Sequence, residues 1–205
     1  MADDTATPTV PGMDPARRNA VAVTAAVGAV GAVGAAVPFV SSMRPSERAR
    51  AAAAPVEVDI AGMQPGELRR VEWRGMPVWI VRRNEQMIKS LQQTENQVLD
   101  PQSNRTYQFP IPEYARNQHR SIKPEYLVVI GICSHLGCSP VERFAPGPQP
   151  SLPADWVGGF FCPCHGSMFD LAGRVWRNVP ANANLDVPPH TFLSDTRLLI
   201  GEDKA

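Results

Sequence analysis

A long uncharged stretch dominates the first part of the chain. Residues 19–43 contain no Asp, Glu, Lys or Arg and are rich in Ala, Val and Gly. About 20 consecutive apolar residues are enough to cross the hydrocarbon core of a bilayer, so this stretch predicts a transmembrane anchor. Glycine at every third position favours a helix face for close packing, although a low-complexity tract without a partner would show the same pattern. These glycines are Gly28, Gly31 and Gly34.

After residue 55 the pattern changes to short apolar runs between polar turns. Alternating or continuous apolar runs of this length are typical of β-strands. We predict strands at Val56–Ile60, Glu67–Trp73, Pro77–Arg82, Tyr126–Ile130, Leu185–Val187 and Arg197–Ile200. One short helix is predicted at 85–93, because Asn84 can cap it and because Met87, Ile88 and Leu91 fall on one face.

Proline punctuates the rest of the domain, and the chain contains 21 prolines. Prolines between short apolar runs favour loops and short strands over long helices. We expect an irregular segment at 97–124, with His119 as a solvated loop residue. A surface excursion with five prolines is expected at 139–159, and a hairpin turn at 171–174. His190 is expected to be structural or at the surface.

The charge balance excludes one class of partner. The chain has 20 basic and 20 acidic residues, a formal net charge of zero and a pI near 6.9. Nucleic-acid binding depends on a basic surface that neutralises phosphates. We therefore expect no nucleic-acid partner.

Cysteine and histidine are concentrated in two boxes, CSHLGC at 133–138 and CPCHGS at 162–167. Together the boxes hold all four cysteines and two of the four histidines. Each box offers one Cys–His pair and one additional cysteine. Two thiolates and two imidazoles on paired loops suit a 2Fe–2S centre with one iron on sulfur and the other on nitrogen.

Two other sites use the same residue types. Two Cys and two His can form a tetrahedral structural zinc site, but zinc fingers usually present a close Cys pair and then a close His pair. Zinc would also leave Cys138 and Cys164 without a role. Alternatively, all four cysteines could bind one cluster, which would require Cys162 and Cys164 to act together two residues apart. The mixed Cys/His cluster is the favoured interpretation.

The boxes closely resemble those of the Rieske iron–sulfur family, specifically the iron–sulfur subunits of cytochrome bc complexes (ubiquinol–cytochrome c reductase). The family pattern is CTHLGC followed by CPCHGS, and Ser134 is the one departure within it. The resemblance extends from the N-terminal anchor to about Gly201. It implies one Rieske 2Fe–2S cluster, with ligands Cys133, His135, Cys162 and His165.

The same resemblance assigns further roles and a fold. It implies a disulfide between Cys138 and Cys164, and a hydrogen bond from the Ser167 hydroxyl to a bridging sulfide. It also implies an all-β fold, an antiparallel β-sandwich with a cluster-binding subdomain at about 131–182. This subdomain would be inserted in a domain over 56–205.

The implied function is electron transfer in quinol–cytochrome c reductase. Neutral imidazoles in place of two thiolates raise the cluster potential, so the centre can accept an electron from quinol. His165 would take part in the coupled proton transfer, with His135 also facing solvent. Leu136 and Gly137 would help to form an apolar tip that docks on cytochrome b. A c-type cytochrome would receive the electron, in a complex expected to be dimeric.

Targeting signals fit this function. Arg17 and Arg18 precede a weakly hydrophobic segment, as in a twin-arginine export signal, although paired arginines also simply flank membrane helices. A disulfide needs an oxidising compartment, whereas iron–sulfur clusters are assembled in the cytoplasm, and export of the folded domain satisfies both. We expect residues 1–18 in the cytoplasm, a single-pass anchor in the bacterial inner membrane, a hinge linker at 44–55 and a periplasmic domain.

Two rival functions remain open from the sequence. One is the small Rieske subunit of a periplasmic oxidase of the arsenite oxidase type. The other is a zinc-stapled binding module without a redox role. A further departure from the family is Phe169, since many members carry a Tyr there whose hydroxyl donates to a ligand cysteine.

Overall fold

One long helix makes up most of the described residues at the N-terminal end of the chain. The structure is a computed structural model, and it describes residues 15–46, 51 and 54–203. Residue contacts divide the chain into two units, Met1–Ala49 and Arg50–Ala205. Helix α1, Pro15–Ser42, is long and apolar enough to cross a membrane, a test that a signal sequence would also pass. It begins before the predicted anchor, so the paired arginines are helical.

The second unit is built from short antiparallel strands. Its described residues form β1 (Val56–Asp59), β2 (Leu68–Trp73), β3 (Met76–Arg82), β4 (Tyr126–Ile130), β5 (Val141–Arg143), β6 (Gly159–Cys162), β7 (Ser167–Phe169), β8 (His190–Phe192) and β9 (Arg197–Ile200). They also form helix α2 (Glu85–Gln93) and a 3-10 turn (Glu113–Ala115). The strands make three sheets, in the orders β1-β9-β8, β2-β3-β4 and β5-β6-β7.

The sheet β2-β3-β4 is buried on both faces. Along β3, Val78 and Ile80 face a core shared with β1 and β9, which makes the two base sheets a sandwich. The alternate residues, Trp79 and Val81, face a second core shared with β6 and β7. Side chains alternate between the two faces of a strand, so burial of both faces requires a continuous apolar run. This explains the uninterrupted apolar sequence of β4.

Most predicted elements of this unit are confirmed. Strands β1 to β4 and β9 lie within a residue or two of their predicted bounds. Helix α2 also matches, and the Asn84 side chain accepts a hydrogen bond from the Met87 backbone N–H at 2.8 Å. The turn at 171–174 is a hairpin, closed by the pairing of Phe169 with Val175. The all-β sandwich fold is therefore confirmed.

The prediction of a closing strand at Leu185–Val187 is wrong. This segment is held by single hydrogen bonds to separate neighbours: the Leu185 N–H donates to Gly173 O, and Asp186 O accepts from the Ile130 N–H. The strand forms later, as β8, because Pro188 and Pro189 lack the backbone N–H groups that a ladder needs. Strands β5 to β8 were not predicted, and each has only three or four residues.

Two histidines outside the boxes differ in burial. His190 was predicted to be either structural or at the surface, and it is structural. It is 1% exposed, and its ring packs edge-on against Tyr114. His119 lies in a loop as predicted, but it is half-buried rather than fully solvated. Burial lowers the pKa of both imidazoles, which favours their neutral forms.

Three buried arginines join the base of the unit to the 171–174 hairpin. Arg83 donates to Leu171 O at 3.0 Å, and Arg120 donates to the next two carbonyls of the turn, Ala172 O and Gly173 O, at 2.9 and 3.2 Å. Arg174 pairs with the buried Asp170 at 2.8 Å. Burial lowers the pKa values of Arg83 and Arg120 to about 10, so both stay charged at neutral pH.

We expect Arg174→Met to destabilise the unit by about 3–5 kcal/mol, because it leaves the Asp170 carboxylate buried without its partner. Arg197→Met is the matched control: it breaks an exposed pair with Glu57 and should cost about 1 kcal/mol or less. Chemical denaturation followed by circular dichroism measures both. Equal losses in the two variants would contradict a central role for the buried pair.

Candidate metal centre

The first box leaves the central sheet through a position that admits only glycine. Gly131 follows β4, and a Cβ there would lie 2.1 Å from Cε2 of Trp79. The Trp79 indole in turn stacks on Phe160 of β6, with ring centroids 5.2 Å apart. Trp79 of β3 thus contacts both Gly131, where the chain leaves β4 for the first box, and β6, which leads into the second box. This contact sets where the boxes begin.

Both boxes then make the same tight turn. Cys133 O accepts a hydrogen bond from the Gly137 N–H at 3.0 Å, and Cys162 O accepts one from the Gly166 N–H at 2.9 Å. The two glycines have φ values of 81° and 79°, in the left-handed region where side chains are strained. Each turn therefore folds a Cys–His pair around a glycine, and the boxes form two similar loops.

The structure brings the predicted site residues together. Cys133 and Cys162 are free, buried thiols, only 1% and 2% exposed. The His135 and His165 rings meet edge-to-face with centroids 4.7 Å apart. The two loops thus place sulfur inside the domain and imidazole towards its surface.

The remaining two cysteines form the disulfide that the resemblance implied. Cys138 and Cys164 are bonded, with Cα atoms 6.7 Å apart. Their sulfurs and that of Cys162 lie within 4.8 Å of one another. Bridged sulfurs cannot serve as thiolate ligands, so this sulfur group is a cross-link beside the site rather than a separate metal site.

The donor set fits a two-iron cluster. His135 Nδ1 is buried and has no hydrogen-bond partner within the described part of the chain, as expected for a nitrogen reserved for a metal. Burial raises the pKa of the Cys133 thiol, and the neighbouring Cys162 thiol raises it further. A thiolate there therefore needs a nearby positive charge, which ferric iron supplies. Two sulfur and two nitrogen donors match the mixed ligation of such clusters.

A third loop is hydrogen-bonded to both boxes, and the sequence analysis did not predict this contact. The Ser134 hydroxyl donates to Ala183 O at 2.5 Å and accepts from the Ala183 N–H at 3.3 Å. The Ser167 hydroxyl accepts from the Ala181 N–H at 3.0 Å. One serine from each box is thus tied to residues 181–183. The Pro-Ala-Asn-Ala sequence at 180–183 contains no residue that is typical of a functional site. Only the serine hydroxyls of the two boxes indicated that a hydrogen-bond partner was needed.

The tip of the site is apolar and exposed. Leu136 is 70% exposed and follows the half-buried His135. Gly137 and His165 are exposed beside it on the two loops. The residues predicted to form the docking tip, Leu136 and Gly137, are thus both exposed.

Comparison with known proteins agrees with this geometry. Two family profiles match the chain: "Ubiquitinol-cytochrome C reductase Fe-S subunit TAT signal" at residues 9–46, and the Rieske 2Fe-2S domain at residues 107–189. A protein of Allochromatium vinosum described as "Ubiquinol-cytochrome c reductase iron-sulfur subunit" is 58% identical over 188 residues, which cover 92% of this chain and 89% of that protein. The chain belongs to the Rieske iron–sulfur subunit family.

More distant members of the Rieske family extend the comparison. A Blastochloris viridis protein with the same description is 41% identical and covers 87% of this chain and 88% of its own length. The "Cytochrome b-c1 complex subunit Rieske, mitochondrial" of Solanum tuberosum is 40% identical over 80% of this chain and 52% of its own length. As a Rieske subunit, the chain holds one 2Fe–2S cluster, and a zinc-stapled module is not favoured.

The disulfide should stabilise both the domain and the cluster. A bridge across 26 residues is worth about 3 kcal/mol by chain entropy, and here it pins both cluster loops. We expect Cys138→Ser to lower cluster occupancy and reduction potential, measured by iron content and redox titration. The double variant Cys138→Ser/Cys164→Ser, which also removes the thiol that the single variant leaves unpaired at Cys164, should behave alike. Wild-type occupancy in both would contradict the role of the bridge.

Phe169 offers a second test, because it replaces the Tyr of many Rieske proteins and is fully buried in β7. A Tyr hydroxyl that donates to a ligand sulfur would stabilise the more negative reduced state. We expect Phe169→Tyr to raise the potential by tens of millivolts, from one hydrogen bond of about 1 kcal/mol. Ser167→Ala should lower it by a comparable or larger amount. A Phe169→Tyr protein with a normal cluster and an unchanged or lower potential would refute this argument.

Proposed function

We propose that this chain is the electron-transfer subunit of a quinol–cytochrome c reductase. It takes an electron from quinol at a cytochrome b subunit and passes it to a c-type cytochrome. The observation that carries the proposal is the pair of disulfide-linked loops. They bury the Cys133 and Cys162 thiols and hold the His135 and His165 rings side by side near the exposed Leu136.

The two cysteines and the two histidines of the site have different roles. Cys133 and Cys162 would hold one iron from inside the domain, and His135 and His165 would hold the other towards the surface. When bound, a mixed-ligand 2Fe–2S cluster supplies a one-electron acceptor with a potential of roughly −150 to +300 mV. The neutral imidazoles contribute to this range because they add no negative charge beside the metal.

His165 is the proposed proton acceptor. Its residue is exposed, so the ring nitrogen that does not bind iron can meet a quinol hydroxyl. A proton accepted by that nitrogen would offset the negative charge that the electron brings to the cluster. Leu136 and Gly137 exclude water around this contact when the tip docks on cytochrome b. Proton and electron then leave the quinol at the same surface.

We place the protein in the bacterial inner membrane as a single-pass subunit. The twin-arginine profile covers 9–46, and α1 is long enough to span a bilayer. Residues 1–18 then lie in the cytoplasm, 19–43 anchor the chain, 44–55 form the hinge and 56–205 form the periplasmic domain, with the cluster subdomain at about 131–182. The complex is a dimer in this proposal.

The decisive experiment combines spectroscopy with purification. Membranes are extracted in mild detergent, and the protein is isolated through a tag on the chain. We expect co-purification of b-type and c-type haem, quinol–cytochrome c reductase activity, and the rhombic electron-spin-resonance signal of a reduced Rieske centre. Zinc without iron would reject the redox role. A Rieske signal without b-type haem would favour the periplasmic oxidase instead.

The hinge gives a separate prediction, although residues 47–50, 52 and 53 lie outside the described part of the chain. If the domain must swing between two partners, then replacing residues 51–54 by proline should slow turnover, because proline fixes φ and stiffens the linker. The cluster signal should be unchanged. Ser-for-Ala replacement at the same positions is the flexible control. Full turnover in the proline variant would contradict a moving domain.

A further inference from the structure

The third loop, residues 181–185, contains a buried asparagine, Asn184. Asn184 is 2% exposed, and both the oxygen and the nitrogen of its side-chain amide are hydrogen-bonded. Its Oδ1 accepts from the Val175 N–H at 2.8 Å, while Nδ2 donates to Asp100 O at 2.8 Å and Ser103 Oγ at 3.0 Å. A buried amide is costly unless it is hydrogen-bonded, and this one is bonded to two separate segments, at Val175 and at residues 100–103. Asn184 therefore has one defined position.

That position also defines the loop before it. Leu185 is fixed on the other side, because its N–H donates to Gly173 O and its carbonyl accepts from Arg120 at 2.6 Å. Ala183 is bonded through both backbone groups to Ser134. The backbone from 181 to 185 is thereby held in one conformation. At the N-terminal end of this segment, the Ala181 N–H donates to the Ser167 hydroxyl at 3.0 Å.

The Ala181 N–H controls the direction of the Ser167 proton. A serine hydroxyl has one proton and two acceptor lone pairs, and it rotates to suit its partners. When Ala181 occupies a lone pair, the proton is left for the other side of the oxygen. The Ser167 side chain lies beside Cys133, close enough to offset part of the rise that burial gives the pKa of that thiol. The Ala181 N–H and the Ser167 hydroxyl thus connect the third loop to the side of the site that holds a ligand sulfur.

We propose that Asn184 is a positioning residue for the reduction potential, acting through Ala181 and Ser167. The inference rests on the ligand set proposed above. With the loop in place, the Ser167 proton points at sulfur and stabilises the more negative reduced state, which raises the potential. Without the Asn184 amide, the Ala181 N–H shifts, the hydroxyl rotates more freely, and the potential falls.

A mutant cycle tests this coupling, with the potential measured by redox titration of the electron-spin-resonance signal in the purified complex. Asn184→Ala should lower the potential by less than Ser167→Ala does. In the double variant Asn184→Ala/Ser167→Ala the potential should equal that of Ser167→Ala alone, because the asparagine then has nothing to orient. The matched control is Asn182→Ala, an exposed asparagine of the same loop, which should leave the potential unchanged.

Several outcomes would overturn the inference. One is an equal fall on the wild-type and Ser167→Ala backgrounds, which would show that Asn184 acts independently of the hydroxyl. Another is a rise, since water admitted by a loosened loop would stabilise the added negative charge. If Asn184→Ala does not retain its cluster, Asn184→Ser takes its place, because Ser keeps an acceptor for Val175. Cluster loss in both variants but not in Asn182→Ala would mean a purely structural role.

The cycle also separates this inference from the proposed function. A wild-type protein without the Rieske signal would reject the ligand set itself. A normal wild-type signal with additive shifts would reject only the coupling through Ser167.

Discussion

The central sheet β2-β3-β4 is the constraint on which the rest of the domain depends, because neither of its faces can be left in water. One face requires β1, β8 and β9, and the other requires the sheet that carries the second box. The cluster loops are therefore not an appendage. Trp79 on the second face packs on Phe160, so the hydrophobic burial that stabilises the sheet also sets the position of the boxes.

Polar contacts complete what apolar packing begins. Hydrophobic contacts are non-directional and cannot aim a hydroxyl at a sulfur atom. The directional task falls to buried guanidinium and amide groups. Arg120 donates to backbone carbonyls of the hairpin and the third loop, and Asn184 of the third loop donates to Asp100 O. Such networks stabilise one arrangement only when every member is satisfied. Their demanding geometry suits a site whose potential depends on hydrogen-bond direction.

The sequence predicted the parts of this structure that depend on local pattern or on chemically distinctive residues. The two boxes are distinctive, and β3 and β4 show their double-sided burial directly as continuous apolar runs. Three-residue strands such as β5 hold too few residues for periodicity to show. The roles of Arg120 and Asn184 were hidden for another reason. Polar residues in proline-rich segments are typical of solvated loops, and only the tertiary fold reveals that they are buried.

The pairing of β1 with β9 has a consequence for biogenesis. Val56 lies opposite Ile200, so the first described strand of the domain in sequence pairs with the last described strand. A ribosome that releases the chain from its N-terminus supplies that neighbour only after all the residues between the two strands have been made. The sandwich therefore closes late, and contacts this distant in sequence form slowly. A secretion route that threads the chain while it is being made would carry β1 across without its partner.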